Sequence, residues 1–99
     1  MDIPDYANLD KVLVELFLLD PAQCAACTYM LAAVVDAYED IKEFADYRQY
    51  KYTNREDIAR TKKMGVKNLP SMYINGELAY GSIIPRREEL IAKIREYVK

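Results

Sequence analysis

Histidine and tryptophan are both missing from this 99-residue chain, and cysteine and glycine are scarce, at two and three copies. Without imidazole there is no Ser-His or Cys-His nucleophile pair and no zinc site built on histidine. Serine is reduced to Ser71 and Ser82. The longest apolar run, Val12 to Leu19, is too short to span a bilayer and is broken by Glu15, so no membrane partner is expected. Positive charge is not in surplus either. Fourteen Lys and Arg stand against sixteen Asp and Glu, a net charge of −2 with both signs interspersed, which is unlike the basic footprint of a nucleic-acid binder. The first residues, Met1-Asp2-Ile3-Pro4-Asp5, are acidic and lack the basic region of a secretory signal, which points to a cytoplasmic protein.

What is present reads as one domain over residues 1–99, with 1–10 a loosely packed leader in which Ile3, Tyr6 and Leu9 could pack. Val12 to Leu19 is β-branched and aromatic-rich, and Asp20-Pro21 stops it, as suits a central strand buried on both faces. From Cys24 to about Phe44 the pattern becomes alanine-rich, with Leu31, Val34, Val35, Tyr38 and Ile41 at helical spacing. Tyr47 to Tyr52 is a more polar strand, placed nearer a sheet edge. Thr53-Asn54-Arg55-Glu56 has the form of a capping box opening a short helix that Gly65 closes. Asn75-Gly76 between Met72-Tyr73-Ile74 and Leu78-Ala79-Tyr80 predicts a two-residue hairpin turn, because both turn positions need positive φ. Pro85 suits the first turn of a last helix, along which Leu90, Ile91, Ile94 and Val98 form one apolar stripe. The order is β-α-β-α-β-β-α. A β-α-β unit needs a parallel pair and a hairpin an antiparallel one, so an α/β fold with a four-stranded mixed sheet and helices on both faces follows.

The chemistry concentrates at Cys24-Ala25-Ala26-Cys27, where the first strand hands over to the first helix. A thiolate at a helix start faces unpaired N–H groups and the positive end of the helix dipole, both of which favour the ionised nucleophile. A second thiol one turn on can attack a mixed disulfide formed by the first. Open α/β sheets also keep their active sites at the carboxyl ends of strands, where this pair falls. Metal or cluster ligation is the other use of such a pair. A mononuclear zinc site wants four ligands, so two thiolates would need a second chain. Inert packing is the third reading.

Residues 12–99 resemble the thioredoxin and glutaredoxin superfamily. Two motifs carry the resemblance: the Cys-Ala-Ala-Cys at the strand–helix junction, and Gly65-Val66-Lys67-Asn68-Leu69-Pro70-Ser71 followed by strand, Asn75-Gly76, strand and Gly81. The resemblance implies a cis Leu69-Pro70 bond facing the cysteines, with the Leu69 backbone free to pair with a substrate strand, and substrate contacts from Leu69, Pro70, Gln23 and Gly81. It also implies a monomeric protein-disulfide oxidoreductase with Cys24 as nucleophile and Cys27 as resolving thiol. Such an enzyme needs an external reductase as electron donor, and no cofactor or metal beyond its own Cys24–Cys27 disulfide. The departures are equally plain. Gln23 stands where thioredoxins carry Trp, Ala25-Ala26 where they carry Gly-Pro, and Leu18 where they bury an aspartate on the first strand. Glu15 lies on the opposite face by strand parity and is a poor substitute. The basic residue and the Gly-Gly and acidic pattern of glutathione-dependent relatives are missing, so glutathione dependence is not expected. A metal or [2Fe–2S] module, or a redox-silent adaptor on the same fold, is the alternative.

Overall fold

The computed structural model describes residues 9–20 and 22–98. The expected leader therefore falls largely outside the described residues. The central strand β1 (Val12–Leu18) is buried along its whole length, as a strand covered on both faces must be. It is followed by helix α1 (Ala25–Ile41), strand β2 (Ala45–Lys51), helix α2 (Arg55–Met64), strands β3 (Ser71–Ile74) and β4 (Glu77–Gly81), and helix α3 (Arg87–Arg95). The sheet order is β2-β1-β3-β4, with β1 parallel to β2 and the β1–β3 and β3–β4 pairs antiparallel. The expected element order, mixed sheet and edge position of β2 are all present.

Strand parity divides the two faces. Val12, Val14, Leu16 and Leu18 point toward α1 and α3 and join Met30, Val34, Ile41, Leu90 and Ile94 in the main core. Glu15 and Phe17 point the other way, beneath α2. There Phe17 stacks on Tyr50 of β2 at 5.1 Å between ring centroids and meets Tyr73 of β3 edge-on.

Several local expectations are corrected. The buried stripe of α1 is Cys27, Met30, Val34, Ala37 and Ile41, while Val35 is half exposed. The helix ends at Ile41 rather than Phe44. At the start of α2 the capping residue is Asn54, not Thr53: its side chain accepts from the Asp57 N–H at 2.8 Å, and Asp57 returns a bond by accepting from the Asn54 amide and from the Lys51 N–H. Pro85 and Arg86 precede α3, which stops at Arg95, so Val98 lies beyond its stripe and is exposed. The hairpin turn is as expected, with Asn75 at φ 47° and Gly76 at φ 82°, and Gly65 closes α2 at φ 75°.

Candidate active site

Both cysteines lie just past the carboxyl end of β1. The chain leaves the strand through a tight turn in which Asp20 accepts hydrogen bonds from the Ala22 and Gln23 amides. It then enters α1 with Cys24 as the N-cap residue, one position earlier than its first helical residue. The Cys24 sulfur takes the place of the usual capping oxygen, accepting from the Cys27 N–H at 3.1 Å. The first turn of α1 carries no acidic residue, so nothing within the helix opposes its positive end.

The two sulfurs are joined as a disulfide, with the Cα atoms 5.3 Å apart. Their surroundings differ sharply. Cys24 is half-buried, whereas Cys27 is fully buried and belongs to the main apolar core. Cys27 also has a polar neighbour, since its sulfur accepts from the Leu19 backbone N–H at 3.3 Å. Glu15, the nearest acid along β1, is turned away beneath α2, where it accepts from Arg60 at 2.6 Å and from the Tyr50 hydroxyl at 3.0 Å. Strand parity had placed it on that side.

Two hollows are both lined by Gln23 and Cys24. The first is completed by Ala22, Ala25, Thr28 and Tyr29. The second is completed by Leu19, Asp20, Tyr52 and Thr53. Sequence reasoning missed Leu19, Tyr29 and Tyr52, all exposed apolar side chains at 42%, 62% and 39%. Their signal is visible only in three dimensions, because β1 and β2 run in parallel register and set Leu19 beside Tyr52, whose N–H donates to the Leu18 carbonyl at 2.7 Å.

Ser71 pairs with Phe17, so Leu69 and Pro70 enter the sheet beside the same end of β1. The Leu69–Pro70 bond is cis and Pro70 is buried. The Pro70 carbonyl accepts from the Ser82 N–H at 2.8 Å, while no hydrogen bond joins the Leu69 backbone to another described residue. Gly81 pairs with Ser71 on the β3–β4 ladder and lines a separate hollow with Asn68, Tyr73 and Leu78. A Cβ at Gly81 would touch only the Leu78 side chain, at 3.9 Å, so packing within the chain leaves room there. Among the described residues no group of three or more Cys, Asp or Glu side chains is placed to hold a metal ion.

No family model matches the sequence, and no curated protein does. Solved structures do match over nearly the whole chain. Chloroplastic thioredoxin z superposes with a TM-score of 0.73 over 93% of this chain and 82% of its own, at 12% identity. Thioredoxin-2, a component of the malaria parasite protein secretion machinery, gives 0.65 over 87% and 82%, at 22% identity. Thioredoxin f2 of Chlamydomonas reinhardtii gives 0.64 over 94% and 84%, at 16% identity.

The fold is that of thioredoxin. The Cys-Ala-Ala-Cys pair of this thioredoxin-like chain lies at its first strand–helix junction, and the cis Leu69–Pro70 bond enters its third strand. Among the described residues no helix is long and apolar enough to cross a membrane.

Proposed function

We propose that this chain is a thiol–disulfide oxidoreductase that reduces protein disulfides, with Cys24 as nucleophile and Cys27 as resolving thiol. The observation that carries the reading is the asymmetry of the pair: a half-buried sulfur at a helix start, and a fully buried one a turn further on. Only the first can meet a bulky client, and only the second is shielded from competing disulfides.

In the reduced protein the Cys24 thiolate attacks one sulfur of the client disulfide. A Cys24–client bond forms, the client S–S bond breaks, and one client thiolate leaves. Cys27, as thiolate, then attacks the Cys24 sulfur, restoring the Cys24–Cys27 disulfide and releasing the second client thiolate, which takes up a proton. Two electrons have passed to the client. An external dithiol reductase returns them, and no cofactor enters the exchange. Leu69, whose backbone makes no hydrogen bond to another described residue, offers main-chain hydrogen bonds to an extended client segment, with Pro70, Gln23 and Gly81 as further client contacts. A reducing compartment such as the cytoplasm suits this direction.

Insulin reduction driven by dithiothreitol is the test. Cys24→Ser abolishes turnover, whereas Cys27→Ser accumulates a covalent Cys24–client adduct detectable by intact mass. In the reduced wild type, iodoacetamide labels Cys24 before Cys27. Equal residual turnover in the two serine variants, or faster labelling of Cys27, rules the assignment out. Colour and metal content of the purified protein check the alternative in which Cys24 and Cys27 of two chains share a cluster or zinc.

A further inference from the structure

We infer that Tyr29 and Tyr52, together with Leu19, select the client: the site takes polypeptide disulfides flanked by apolar or aromatic residues and discriminates against acidic ones, glutathione disulfide included. This rests on the oxidoreductase reading and names its substrate class. Cys24 lines two hollows, and a tyrosine lines each of them with it, Tyr29 in one and Tyr52 in the other. A disulfide whose sulfur reaches Cys24 must lay its neighbouring residues over them.

Tyr29 and Tyr52 belong to none of the core contacts, and Leu19 is exposed beside Tyr52. Large apolar groups left in water around a reactive sulfur fit contact with a partner better than packing within the chain. Charge narrows the choice. The described residues lining the two hollows include no Lys or Arg, and the one carboxylate among them is Asp20. An acidic flank, or the carboxylates of glutathione, would find no cation there and would face Asp20 at close quarters. An apolar flank loses little on leaving water and gains the ring faces of Tyr29 and Tyr52.

Single-turnover oxidation of the pre-reduced, reductant-free protein provides the test, with Cys24–Cys27 disulfide formation followed by acid quench and mass. Three disulfides are compared: a peptide disulfide with Leu and Phe beside each cysteine, the same peptide with Glu in those places, and bis(2-hydroxyethyl) disulfide as a small neutral reference. The apolar peptide is expected to react about tenfold faster than the acidic one, equivalent to ~1.4 kcal/mol. Tyr29→Ser and Tyr52→Ser each lower the apolar-peptide rate at least threefold and leave the reference disulfide unchanged. Both substitutions are at exposed positions, and far-UV circular dichroism verifies the fold. Retention of the wild-type apolar-peptide rate in both variants overturns the inference. So does an equal loss on the reference disulfide, which would mean that the rings support Cys24 rather than the client. A wild-type protein that reacts with none of the three overturns the oxidoreductase reading instead.

Discussion

Burying a carboxylate on a central strand costs several kcal/mol unless its partners are close and its lone pairs are used. Glu15 has both: Arg60 at 2.6 Å and the Tyr50 hydroxyl at 3.0 Å, with Arg60 also lying over the Tyr50 ring. Both charged side chains are at most 1% exposed. Replacing one partner strands the other, so Arg60→Met is expected to lower unfolding stability by about 3–5 kcal/mol, whereas Glu15→Leu combined with Arg60→Met costs far less. Urea unfolding of the two single variants and the double variant gives the coupling, and additive losses would show that the pair acts independently. Strand parity made Glu15's face legible in the sequence, since an odd position on β1 cannot share a side with Leu16 and Leu18. Arg60 was not legible. It comes from a mostly polar helix 45 residues away, and no local pattern marks which of that helix's charges turns inward.

At the scale of elements, α2 shows how a sound local rule can admit two registers. Thr53 with Glu56 and Asn54 with Asp57 each have capping spacing, and the structure uses the second, because Asp57 also receives the Lys51 N–H from the end of β2. That tertiary bond breaks the tie. Asn54→Ala should therefore cost about 1 kcal/mol and Thr53→Ala close to nothing, measured as shifts in the urea midpoint. A reversed order would return the cap to Thr53. Helix α1 has a similar ambiguity: its alanine-rich sequence offers several apolar stripes, and the one in use starts from Cys27, so Val35 is left in water. The hairpin turn was legible by contrast, since few residue pairs other than Asn-Gly accept two successive positive φ values, although the register shift of β3 against β4 at Met72–Tyr73 was not. The disulfide was legible as a motif, but the apolar ledges beside it were not, because they are assembled from the ends of β1 and β2 and the outer face of α1.

For the whole molecule, the missing histidine and the nine tyrosines set the response to pH. In the disulfide form no side chain has an ordinary pKa between the carboxylates and the phenols, so stability should be nearly constant from about pH 6 to 9. Above that range tyrosine governs. Burial is the first cause raising Tyr50, Tyr80 and Tyr97, reinforced by Glu15 at Tyr50, by Glu89 and Glu96 at Tyr80, and by Glu77 and Glu96 at Tyr97. A phenol held protonated in the fold but ionising near pH 10 in the unfolded chain favours unfolding as pH rises. Its contribution is complete below about pH 10 and is lost as pH climbs through the raised folded value. Urea midpoints of the oxidised protein should thus be flat through neutrality and fall beyond pH 10, with phenolate absorbance appearing later in the folded than in the unfolded protein. A slope near pH 7 would contradict this. Reduction then adds the only side chains that ordinarily titrate closest to neutrality, Cys24 and Cys27. If the start of α1 favours the Cys24 thiolate, the reduced form should gain stability with rising pH up to about 8.5, where the unfolded thiol ionises as well. Because every other group that titrates in that window is common to both redox forms, the difference between them isolates the thiols. A difference that stays flat there would mean the helix start does not favour the thiolate, and the nucleophile assigned to Cys24 would lose its physical basis.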